Sequence, residues 1–142
     1  PPVSDAVGRF SRLGEHAALW LAMGTLGALV DRPRRARWKR GVLVVGATYA
    51  LNTAVKALVR RPRPVVEGLP ALVATPTRLS FPSAHSSTSF AAARAYGALV
   101  PAAPLYAAAA AMACSRVYLG VHYPSDVAGG ALLGLATGSA AR

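Results

Sequence analysis

The 142-residue sequence predicts an all-α integral membrane bundle, about five transmembrane helices behind an N-terminal amphipathic helix, in one domain spanning residues 1–142. Three observations carry that expectation. Hydrophobic residues make up 54% of a chain whose formal charge is nevertheless +11, a combination that belongs with a bilayer. Six of the sixteen basic residues are gathered between Arg32 and Arg40, between two apolar stretches, where membrane topology places a cytoplasmic loop. Finally, Pro62, Pro64, Pro70 and Pro76 mark a long irregular connection that has to lie outside the hydrocarbon, because its backbone groups need water.

Each element follows from local pattern. From Ser4 to Glu15, Val7, Phe10 and Leu13 recur at helical spacing with Arg9 and Arg12 between them, the signature of an amphipathic helix at the membrane surface. A first span is expected from Ala17 to Val30, shorter than the ~20 residues a straight crossing needs. The second runs from Gly41 to Val59. A third begins near Ser83 and ends at Val100, before Pro101 and Pro104; a fourth covers Leu105 to Arg116. The fifth starts at Pro124, since proline suits a first helical turn, and runs to Ala141. Within it Gly130, Gly134 and Gly138 repeat every fourth residue, and the fourth span carries the run Ala107 to Ala111. Such faces let helix backbones approach closely in lipid, where packing drives association.

The charge invites a nucleic-acid reading, but its placement opposes one. The basic block is compact and has only Trp38 interleaved, whereas a nucleic-acid surface spreads cations and aromatics along a polar face, so no nucleic acid is expected as partner. Cys114 is the only cysteine, which excludes an internal disulfide and a cysteine-rich zinc site. No cleavable signal peptide is expected, because the N-terminal segment carries acids and lacks the charged, apolar and small-residue succession. Nothing in the pattern specifies an oligomeric state.

Three short segments carry chemistry. Lys56 precedes Arg63 by two helical turns, and both point to one side of the membrane; taken singly, a snorkelling lysine and an interfacial arginine explain them as well. Pro82-Ser83-Ala84-His85 opens an apolar helix, and a helix start offers free N–H groups to an anion, here those of Ser83 to His85, beside the His85 imidazole. Its ordinary explanation is a capped helix with a hydrogen-bonded histidine. Ser115-Arg116 is followed by His122 and Asp126, and a carboxylate in the first turn of the last helix can reach back to orient the imidazole.

His85, His122 and Asp126 would also make a two-histidine, one-carboxylate metal set. The cations Lys56, Arg63 and Arg116 would repel a divalent ion and suit a phosphoryl group instead, so neither a metal nor a cofactor is expected. His16 has no comparable company and is assigned to the interface. Arg94, in the middle of the third span, is expected to face the bundle interior or a polar cavity, with no acidic partner evident among the five acids of the chain.

In order, the motifs read lysine, six residues, Arg-Pro; Pro-Ser-x-His; and Ser-Arg, five residues, His, three residues, Asp. This pattern resembles the type 2 phosphatidic acid phosphatase family, which also includes vanadium-dependent haloperoxidases. The resemblance implies a metal-independent phosphatase in a helical bundle, with His122 as nucleophile forming a phosphohistidine, Asp126 orienting it and His85 as general acid. Lys56, Arg63, Ser83, Ala84 and Arg116 would hold the phosphate. The second motif usually has glycine where this chain has Ala84, a change that preserves the N–H provided the backbone there needs no positive φ.

The Ser80 to His85 wording resembles small bacterial members acting on polyprenyl-linked phosphates, which implies a substrate such as decaprenylphosphoryl-5-phosphoribose in cell-envelope precursor synthesis. Phosphatidate, phosphatidylglycerophosphate and undecaprenyl diphosphate are the alternative lipid substrates. A non-catalytic membrane protein that binds lipid phosphate is the alternative of a different class. The bacterial plasma membrane is the implied location. If the Arg32 to Arg40 loop is cytoplasmic, alternation places the site on the extracytoplasmic face.

Overall fold

A computed structural model describes residues 2–142, which fold into six α-helices. They are α1 (Pro2–Arg12), α2 (Ala18–Val30), α3 (Arg35–Val59), α4 (Ala84–Tyr96), α5 (Ala102–Tyr118) and α6 (Pro124–Gly138). Short 3-10 turns at Glu15–Ala17, Arg32–Arg34 and Ser139–Ala141 join or finish them. By length and apolarity one helical stretch, Arg32–Val59, meets the requirement for a membrane span; α1 and α2 meet it only together, as a pair bent by 48°. The third, fourth and fifth expected spans are helices α4, α5 and α6, of 13, 17 and 15 residues.

Helix α4 is the centre of the bundle, packed on α6, α5 and α3. Its sequence explains why. Ala91, Ala92, Ala93 and Ala95 present no side chain large enough to hold a neighbour away, and all four are buried. The glycine stripe of α6 meets it: a Cβ at Gly130 would stand 2.6 Å from the Ser83 carbonyl oxygen, and one at Gly134 would collide with that of Ser87. The four-residue repeat of glycines thus sits on a four-residue repeat of carbonyls, the small-face packing anticipated from the sequence.

The hydroxyls of α4 are buried with it, and each has a partner, as burial requires. Ser86 Oγ donates to the Val127 carbonyl at 2.7 Å, Thr88 Oγ1 to the Ala84 carbonyl at 2.8 Å, and Ser89 Oγ accepts from Trp20 Nε1 at 2.8 Å. Asn52 Nδ2 donates to Ser87 Oγ at 3.0 Å and to the Pro82 carbonyl at 3.2 Å. These bonds pin α2 and α3 to the helix that carries His85.

Arg94 corrects an expectation. It lies two residues before the end of α4 rather than in mid-membrane, half-buried, with Nε donating to Ser139 Oγ at 3.2 Å. The helix is shorter than its apolar pattern because Gly97 ends it, which moves the charge to the rim.

The 60–80 connection has no regular element, yet its two ends are tied. Pro62 and Leu79 form an isolated antiparallel bridge, Arg63 N–H donates to the Arg78 carbonyl at 3.2 Å, and Ser80 N–H donates to the Arg61 carbonyl at 2.7 Å. That pairing brings the Arg-Pro motif alongside the approach to His85.

Candidate active site

A pocket of ≈ 130 Å³ opens at the end of the bundle where α3 finishes and α4 begins. Lys56, Arg63, Ala84, His85, Arg116 and His122 all line it. Residues separated by as much as the 66 positions from Lys56 to His122 are therefore brought to one place. At about 10–15 Å³ of such volume for each water held, the space is large enough for a phosphoryl group and part of what it is attached to.

His122 lies in the turn between α5 and α6 and is 4% exposed. Arg63 Nη1 donates to its Nε2 at 3.1 Å and to the Val121 carbonyl at 2.7 Å. Because a guanidinium only donates, Nε2 is the bare nitrogen and the ring proton is on Nδ1. Nδ1 stands 3.4 Å from Asp126 Oδ2, an ion-pair distance longer than a good hydrogen bond, and makes no other contact. Burial first, and then the cations Arg63, Lys56 and Arg116, hold the imidazole well below the usual histidine range, so it is neutral.

Asp126 is the third residue of α6 and wholly buried. Its Oδ2 accepts the Tyr123 N–H at 2.8 Å, closing a capping box on the start of the helix. Its Oδ1 accepts from Arg61 Nη1 at 3.0 Å, and the Arg61 guanidinium stacks 4.0 Å above the Tyr123 ring. Arg61 belongs to none of the three motifs that carry chemistry in the sequence, yet it is the cation that meets Asp126. The signal for it lies in the sharp break after α3, which turns Arg61 back toward α6.

His85 sits in the first turn of α4, as its sequence predicts, with its Nε2–H donated to the Ser11 carbonyl at 3.0 Å. The remaining ring nitrogen is Nδ1. Ser11 also holds Arg116: Arg116 Nη1 donates to Ser11 Oγ at 2.6 Å, while Arg116 Nε is buried without a partner. The N-terminal helix was expected at the membrane surface, yet its last turn forms a wall behind two site residues. Gly14 permits this approach, since a Cβ there would stand 2.7 Å from His85 Cδ2.

Two expected phosphate ligands are otherwise engaged. The Ser83 N–H donates to the Asp126 carbonyl at 3.0 Å and Ser83 Oγ caps α4 by accepting the Ser86 N–H, so Ser83 braces the helix start and does not line the pocket. Lys56 Nζ lines the pocket while donating to the Pro82 carbonyl at 3.0 Å and to those of Leu79 and Ser80 at 3.4 Å, which ties α3 to the approach to His85. Ala84 is not among the positive-φ residues, so the alanine keeps the backbone its N–H requires.

His16, assigned to the interface from the sequence, is exposed and has company there. It lines the same pocket together with Glu15 and Tyr49, and His16 Nδ1 is 2.7 Å from the Tyr49 hydroxyl. His16 and Ala17 adopt φ of 50° and 60°, left-handed conformations that cost roughly 1–2 kcal/mol each for residues with a Cβ. Periodicity carries no signal for such a turn. Among the described residues, no three His, Cys, Asp or Glu side chains are grouped so as to hold a metal ion.

Residues 37–142 match the PAP2 superfamily, and the chain belongs to it. Among its relatives are proteins named decaprenylphosphoryl-5-phosphoribose phosphatase. That of Mycobacterium tuberculosis (strain CDC 1551 / Oshkosh) is 43% identical over 137 residues, 91% of this chain and 73% of the relative. That of Mycolicibacterium smegmatis is 42% identical over 136 residues, 92% of this chain and 72% of the relative. Two crystal structures are similar in fold, each 25% identical and covering 99% of this chain. Aquifex aeolicus LpxE has a TM-score of 0.84 with 86% of its chain covered, and a transmembrane PAP2-type phosphatidylglycerolphosphate phosphatase from Bacillus subtilis has 0.80 with 75% covered.

Proposed function

We propose that this chain is a metal-independent lipid phosphatase that removes the phosphate of a polyprenyl-linked substrate, decaprenylphosphoryl-5-phosphoribose or a close analogue, through a phosphohistidine. The observation that carries the reading is the bare Nε2 of His122, held by Arg63 in a pocket that Lys56 and Arg116 also line. The substrate rests on the names of relatives at 42 and 43% identity.

His122 Nε2 attacks phosphorus while the P–O bond to the leaving alcohol breaks. The guanidinium and ammonium groups stabilise the charge spread over the three equatorial oxygens. The substrate phosphate enters as its monoanion and gives its remaining proton to His85 Nδ1, the nitrogen left free because Nε2–H is committed to the Ser11 carbonyl, and His85 passes that proton to the departing oxygen. The Nδ1 proton of His122 is pulled toward Asp126 as the ring becomes cationic, and that 3.4 Å contact tightens. Water activated by His85 then cleaves the P–N bond and releases phosphate.

The whole chain acts as one domain in this reading. The bundle sits in the plasma membrane with α2, α3, α4, α5 and α6 as five crossings, the shorter ones completed by their flanks or by local thinning of the bilayer. The Arg32 to Arg40 block faces the cytoplasm and the pocket faces outward.

The deciding experiment is phosphate release by purified protein in detergent, with EDTA, from decaprenylphosphoryl-5-phosphoribose, phosphatidate and undecaprenyl diphosphate, with His122→Ala as control. Release that resists EDTA and needs His122 is the expected result. Activity in His122→Ala at the wild-type rate sinks the mechanism, whereas lipid binding without turnover in the wild type means a binding protein.

A further inference from the structure

The cationic pocket has a second wall whose chemistry the phosphate does not use. Glu15, His16 and Tyr49 line it beside the cluster of Lys56, Arg63 and Arg116. We propose that Glu15, His16 and Tyr49 form a hydroxyl-binding rim that recognises the alcohol side of the scissile bond as a polyhydroxylated sugar. This inference rests on the phosphatase reading above and adds a recognition surface to it.

The hydrogen-bonding inventory supports it. Whichever of the two donates in the 2.7 Å contact between His16 Nδ1 and the Tyr49 hydroxyl, the pair leaves one donor and one acceptor free, shared between His16 Nε2 and the phenol oxygen. Glu15 adds a carboxylate that accepts only. Adjacent sugar hydroxyls each donate and accept, so this mixture of acceptors and one donor matches a diol. A second phosphate would meet the carboxylate and be repelled, and a diacylglycerol would leave the rim's polar groups unpaired.

Backbone geometry points the same way. Two successive non-glycine residues in the left-handed region, His16 and Ala17, set the turn that carries Glu15 and His16 to the pocket. Strain of this kind gathers at ligand clamps, where the fold holds a side chain that local preference would release. Tyr49 is placed independently, on α3, two turns before Lys56. A rim assembled from a strained turn and a separate helix is a poor accident of packing, because neither half positions the other through the chain.

The test compares kcat/KM for decaprenylphosphoryl-5-phosphoribose with kcat/KM for phosphatidate in the wild type, Glu15→Gln and Tyr49→Phe. Glu15 also faces Arg116 electrostatically, so Tyr49→Phe, which removes one hydroxyl and no charge, is the decisive variant. A ratio that falls about tenfold or more in Tyr49→Phe, and at least as far in Glu15→Gln, is the expected result; an absent hydrogen-bond partner is what such a site discriminates against. An unchanged ratio in Tyr49→Phe, including a fall shared equally by both substrates, overturns the rim while leaving the phosphatase reading intact. A wild type that hydrolyses phosphatidate and not the sugar phosphate overturns the substrate assignment and the rim together.

Discussion

Arg61 Nη1 lies 3.0 Å from Asp126 Oδ1, and the carboxylate it meets has no exposure to solvent at all. The same carboxylate caps α6 through Oδ2 and stands beside the Nδ1 proton of His122. One arginine outside the pocket thereby supplies the counter-charge for a buried acid that has both a structural and a catalytic neighbour. Removing Arg61 leaves that acid without its cation.

Arg61→Ala is accordingly expected to cost about 1–3 kcal/mol of stability, the penalty of an under-satisfied buried group, and to lower kcat. Chemical unfolding in detergent reads the first effect and phosphate release the second. A double-mutant cycle with Asp126→Asn should show a coupling of about 0.5–3 kcal/mol. Strict additivity would mean that the two residues act separately.

The low pKa of His122 predicts a pH profile. A histidine that stays neutral well below its usual range keeps its nucleophilic lone pair, so kcat/KM should show no acid limb from His122 between pH 5 and pH 7, a window of about two units. Burial is the first cause and Arg63 the next. Arg63→Gln should therefore move the His122 titration upward. It should also cost roughly 10²–10³ in kcat, the usual price of one transition-state charge donor.

Stability should follow the same group. The unfolded chain protonates His122 near its ordinary value of about 6.5, while the folded chain does not. Below that pH the unfolded state binds more protons, so stability falls on acidification and is unaffected by His122 at higher pH. His122→Gln should flatten the acid side of a melting-temperature profile measured in detergent.

Ser11→Ala removes the hydroxyl that receives Arg116 and leaves the carbonyl that receives His85. With Nε already unpartnered, the guanidinium loses its orientation. The expected outcome is a KM raised about tenfold, the worth of roughly one charge-assisted hydrogen bond, with kcat less affected. Steady-state kinetics decide it, and an unchanged KM would show that Arg116 is held by other contacts.

Gly134→Val tests the packing on which the site stands. The added side chain meets the Ser87 carbonyl and the Ala91 N–H, so α6 has to move away from α4. A loss of about 1–3 kcal/mol is expected from such overpacking, with activity falling alongside the melting temperature.

Much was legible in the residues themselves. The helical bundle, the proline-marked connection, and the start of α6 at Pro124 all follow from periodicity and punctuation, which are local properties of the chain. The six pocket residues were legible as types: cations for an anion, paired histidines for attack and protonation. What a one-dimensional pattern lacks is the partner across space. Arg61 beside Asp126, Ser11 between His85 and Arg116, and His16 against Tyr49 join residues 65, 74, 105 and 33 positions apart, and no spacing rule relates them.

Ser83 and Lys56 show the same limit from the other side, since their donors are directed in the structure to backbone carbonyls that the chain brings near only on folding. Residue type and periodicity, which act over a few residues, set the chemistry available and the helices that carry it. Tertiary structure alone decided which donor meets which acceptor, because a buried polar group is satisfied by whatever packing places within about 3 Å of it.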